Sequence, residues 1–132
     1  MNRFRSMALM LVVALATLGC VSTKGRELSL LPAIRTAWPA VQSDLAVGID
    51  DAAAGGQDVS AVRVAVVDLD EAIVNGDALF VANVPWAVLE PYGERGVQVK
   101  VTNGTISPLV APSLLERLHK FGEAIAKMRL IP

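Results

Sequence analysis

The chain has one cysteine, one histidine and one tyrosine in 132 residues, and aromatic residues make up only 5 % of it. A lone cysteine excludes an internal disulfide, and a lone histidine beside it excludes the Cys and His clusters that build zinc sites. There is no surplus of positive charge: 12 Lys and Arg stand against 13 Asp and Glu, for a net charge of −1. Nucleic-acid binding by phosphate neutralisation is therefore not expected. Long apolar runs are scarce too. The single one, Met7 to Val21, is about fifteen residues, whereas a helix that crosses a bilayer needs about twenty. Beyond it, apolar and charged residues intermix as they do in water-soluble domains.

Catalytic constellations are equally thin. His119 sits between Leu118 and Lys120 with no nucleophile near it in sequence, so it is read as a surface histidine and not as a general base. Asp68-Leu69-Asp70-Glu71 lacks the glycine and the spaced oxygen ligands of a calcium loop, and reads as a solvated helix face. Gly55-Gly56 follows an apolar-periodic segment; glycines that cradle phosphate open a helix instead. Glu90 and Glu94 are expected as exposed partners of Arg95 or Lys100, and Trp38 and Trp86 as core residues. No catalytic residue, metal ligand or cofactor-binding residue is assigned.

The N-terminal segment is the informative part. Arg3 and Arg5 precede the apolar stretch, and Leu18-Gly19-Cys20 is a small-residue junction, the pattern of a cleavable export signal. The only cysteine lies at that junction, and Ala16-Thr17-Leu18-Gly19-Cys20 resembles the lipobox of bacterial lipoproteins. That resemblance implies a diacylglyceryl group on the Cys20 thiol, cleavage before Cys20, and acylation of the new amino terminus. It makes residues 1–19 a signal, 20–28 a lipidated cysteine and tether, and 29–132 the domain. Val21 in place of aspartate implies the outer membrane rather than retention at the inner one. A second cut is open after Ala14-Leu15-Ala16, which would release a soluble protein with a free Cys20.

The domain is expected to be all-α, a small bundle of two imperfectly repeated helical hairpins. Ile34, Trp38, Val41, Leu45, Ile49 and Ala52 recur at helical spacing, with Ser29 as the expected cap, Gly55-Gly56 as the stop, and a kink or break near Pro39. Trp38, Val41, Gly48, Ile49, Gly56 and Ser60 recur as Trp86, Leu89, Gly96, Val97, Gly104 and Ser107, suggesting repeat units of about 29–77 and 78–130. A helix is expected from Ser60 to Asn75 with Val62, Ala65, Val66, Leu69 and Ile73 inward, and Arg63, Asp70 and Glu71 outward. The last helix is expected to begin at the capping box Ser113-Leu114-Leu115-Glu116. Residues 97–106 alternate with period two and contain Asn103-Gly104, a hairpin cue. The repeat places them on a helix that stops at Gly104, and an isolated two-stranded hairpin is marginal; helix is preferred.

Two functions follow as expectations. One is a non-enzymatic lipoprotein, anchored to the membrane, whose helical body contacts another envelope protein. In general character it resembles small lipoproteins encoded in phages and prophages. The alternative is a soluble periplasmic helical protein that binds a small apolar ligand.

Overall fold

The computed structural model describes the backbone of residues 18–129 and side chains from Leu30 onward. Five helices follow one another: α1 Leu18–Ala54, α2 Ser60–Asn75, α3 Ala78–Ala82, α4 Trp86–Thr102 and α5 Ala111–Arg129, with no strand among the described residues. The chain is all-α, as its periodicity predicts. α1 lies along α4, both pack on α5, and α2 and α3 close the remaining sides.

All six residues of the predicted α1 stripe, Ile34, Trp38, Val41, Leu45, Ile49 and Ala52, are buried. α2 likewise turns Leu69 and Ile73 into the core and rests Val62, Ala65 and Val66 against it. In α5 the buried residues are Leu118, Phe121, Ile125 and Met128, spaced by three or four as an amphipathic helix requires. Phe121 is the hub of the aromatic core, with its ring centroid 5.7 Å from that of Trp38 and 5.0 Å from that of Trp86.

Residues 97–102 are helical despite their alternation, and the hairpin cue turns out to be a helix stop with Gly104 at φ +80°. Val97 is buried and forms part of the core, so tertiary packing outweighs local β propensity. The backbones of α1 and α4 touch here. A Cβ on Gly48 would strike the carbonyl oxygen of Tyr92, and one on Gly96 would strike that of Asp44. Two contacts related by an offset of 48 residues thus hold the crossing together. The indoles follow the same offset: Trp38 Nε1 donates to Asp70 Oδ1 at 2.7 Å, and Trp86 Nε1 to the Leu118 carbonyl at 3.1 Å. Gly56 and Gly104 both end their helices at positive φ. The two halves differ in that α3 has no counterpart in the first.

Several local expectations are corrected. α1 is already helical at Leu18, so Ser29 lies inside the helix and not at its start, and the backbone of residues 20–28 is helical. Lys24, Arg26, Glu27 and Leu28 are good helix formers, and Gly25 alone does not stop a helix that continues on both sides. The helix also continues through Pro32 and Pro39 without a break. α5 begins at Ala111, which leaves Ser113 in its first turn and not at the cap. The approach turn is instead tied by Ser107, whose hydroxyl accepts the Leu109 N–H at 3.1 Å, and Pro112 fits the first turn because no helical donor is needed there. The short helix α3 was not anticipated. Asp77 caps it by accepting the Phe80 N–H at 3.1 Å, so an acidic cap before Ala78-Leu79-Phe80-Val81-Ala82 was the available signal.

Candidate functional site

Cys20 lies within the described part of α1, and its side chain lies outside the described residues. Among the described residues no helix is long and apolar enough to cross a membrane.

The other sequence candidates are scattered. His119 is exposed, 3.7 Å from Glu90 Oε2 and 3.5 Å from Glu123 Oε2. Glu90 and Glu94 do not pair with Arg95 or Lys100: Arg95 donates to Asp51 at 2.7 Å, and Lys100 turns inward. Asp70 is not a free outward carboxylate, because it is half-buried and accepts from Trp38. Asp68 and Glu71 face a shallow hollow of about 220 Å³ shared with Asp77 and Phe80. Trp38 and Trp86 are core residues. Among the described residues no three His, Cys, Asp or Glu side chains converge on a metal-sized site.

The one buried charged residue among the described residues was not anticipated. Asp44 is fully buried, although in sequence it is one of a run of acidic residues that reads as solvated surface. Lys100 Nζ reaches Asp44 Oδ1 at 2.7 Å and Arg117 Nη2 reaches Asp44 Oδ2 at 2.7 Å, so each carboxylate oxygen takes one charged donor. Ser43 Oγ holds the same ammonium at 2.9 Å. A buried carboxylate persists only when paired and hydrogen-bonded, and here α1, α4 and α5 each supply one member. The fold dictates the arrangement: Gly96 brings the α4 backbone onto Asp44, and Lys100, one turn further, reaches over it. Arg117 is only partly satisfied, since its Nε is buried with no acceptor.

Arg117 also lines an open groove of about 410 Å³ between α1 and α5. Ala33, Ala37, Ala124, Ile34 and Phe121 make up its apolar lining, and Ser113, Glu116 and Lys120 join Arg117 as its polar lining. The alanines leave the space, because larger side chains there would close it. No protein-family model, curated protein or solved structure matches this chain. Chemically, the cluster can fix three helices and present cations at the edge of an apolar groove.

Proposed function

We propose that this chain is a small lipoprotein of a bacterial envelope, held at the membrane by acyl chains on Cys20, whose helical body docks another envelope protein without performing chemistry. The observation that carries this reading is the position of the sole cysteine, directly behind an apolar stretch that follows Arg3 and Arg5. Each buried methylene contributes about 0.8 kcal/mol, and more than one acyl chain is needed for stable anchoring. The reading therefore includes acylation of both the thiol and the new amino terminus.

The helical course of residues 20–30 adds a consequence. Lipid on Cys20 would be joined to α1 itself, and the body would stand on a helical stalk of about 15 Å, at 1.5 Å per residue. Val21 favours the outer membrane. The docking part of the reading is supported by α2, where Val64, Val67 and Val74 are 60 %, 57 % and 66 % exposed and share one side of the helix. Aligned apolar residues on an exposed face mark interaction surfaces more often than scattered ones do. The compositional likeness to phage and prophage lipoproteins suits a role at the cell envelope.

Fractionation of cells that express the full chain tests the reading. Wild-type protein should sediment with membranes and partition into detergent, and Cys20→Ala should move to the aqueous fraction. Equal partitioning of the two would refute the anchor.

A further inference from the structure

We propose that the groove between α1 and α5 is a binding site for a fatty-acid anion, with the alkyl chain against the apolar residues that line it and the carboxylate at Arg117 and Lys120. This goes beyond the docking reading and does not depend on it.

The shape comes first. About 410 Å³ of space falls within the range of roughly 300–1,000 Å³ common to small-molecule sites. Its apolar lining is Ala33, Ala37, Ala124, Ile34 and Phe121, with Ser113 and the charged Glu116, Arg117 and Lys120 completing it. The apolar residues suit one unbranched hydrocarbon chain, because methylenes need only apolar contact and a polar group against them would leave its donors and acceptors unpaired.

Charge identifies the head group. At this end of the bundle Lys100, Arg117 and Lys120 stand against Asp44 and Glu116, three cations to two carboxylates, which leaves one positive charge over. Arg117 is the cation with unused hydrogen-bonding capacity, its Nε being buried without an acceptor. Lys120 is loosely held, 3.4 Å from Glu116 on an exposed surface, and can swing to an incoming anion at little cost. A monoanionic carboxylate matches the single surplus charge, and guanidinium and carboxylate form the stronger, charge-assisted kind of hydrogen bond.

The test uses the full chain in phosphatidylcholine vesicles and a dodecanoate that carries a photoreactive diazirine near the end of its tail. Mass spectrometry should place the label on α1 and α5 peptides containing Ala33, Ala37 or Ala124. Unlabelled dodecanoate should compete about tenfold better than dodecanol, since the alcohol lacks the charge-assisted bonds. Ala37→Leu should fill the groove and reduce labelling about tenfold or more, and Lys120→Glu should reduce it about fivefold. Ala33 is exposed, so Ala33→Leu serves as a second filler that leaves the core untouched, and circular dichroism checks that every variant is folded. Labelling that persists in both folded fillers, or equal competition by dodecanol, would overturn the proposal. Better competition by dodecyl phosphate would also overturn it, in favour of a phosphate head group.

Discussion

At Asp44 a carboxylate has left water completely and rests on two cations drawn from helices 56 and 73 residues further along the chain. Asp44→Asn keeps the shape and removes the charge, leaving Lys100 and Arg117 facing each other without a counterion. Breaking a fully buried pair costs about 3–5 kcal/mol. The Lys100 and Arg117 side chains are 16 % and 32 % exposed, so solvent screens part of the loss and about 2–4 kcal/mol is expected. Urea denaturation should show a lower midpoint at unchanged slope. The helix crossing offers a second residue-scale contrast. Gly96→Ala pushes a methyl group into the Asp44 carbonyl, which belongs to backbone that cannot turn aside, and should lose about 3 kcal/mol or more. Gly56→Ala meets no neighbour and suffers only from its positive φ, for a loss of about 1 kcal/mol. Thermal melts of the two variants should separate clearly; equal losses would mean that the crossing is not held by close backbone contact.

Among the elements, α2 depends on its first turn for a defined start. Asp58 accepts from the Ser60 hydroxyl at 2.7 Å and from the Ser60 N–H at 3.1 Å, and these bonds, the hydroxyl first, hold its carboxyl below the ordinary value of 3.8. A carboxyl whose pKa is lowered by folding contributes stability above its unfolded value and loses it as pH falls through the folded one. Protection factors of the amides at the start of α2 should therefore drop as pH falls below about 3.8, and Asp58→Ala should abolish that dependence. The same scale shows what was legible beforehand. The stripes of α1, α2 and α5 could be read because each is set by side chains three or four residues apart. The Gly56 and Gly104 stops could be read because glycine takes the positive φ of a helix end without strain. Helix starts were less accessible: at Ser29 and Ser113 a good capping residue lies inside a helix that begins earlier, and capping contributes only about 1 kcal/mol against the packing of a whole face. Asp44 could not be separated from Asp50, Asp51 and Asp58, since nothing within a few residues of it reveals Lys100 or Arg117. The groove could not be read either, because it exists only where α1 alanines face α5.

For the whole molecule, the fold and the anchor make one physical picture. The described 37 residues of α1 span about 55 Å, include the chain's only cysteine, and form one wall of the core in their later turns. If acyl chains sit on Cys20, the body is fixed near the bilayer by a rod and not by a loose strand, which limits the distance over which it can meet a partner. The proposed role therefore turns first on what happens to the N-terminus. Mass spectrometry of the N-terminal peptide from protein made in a bacterial host with its export and lipidation machinery tests this most directly. The expected result is a peptide that begins at Cys20 and carries a diacylglyceryl group on sulfur and an acyl group on nitrogen. A peptide that begins at Thr17, with Cys20 as a free thiol, would contradict it.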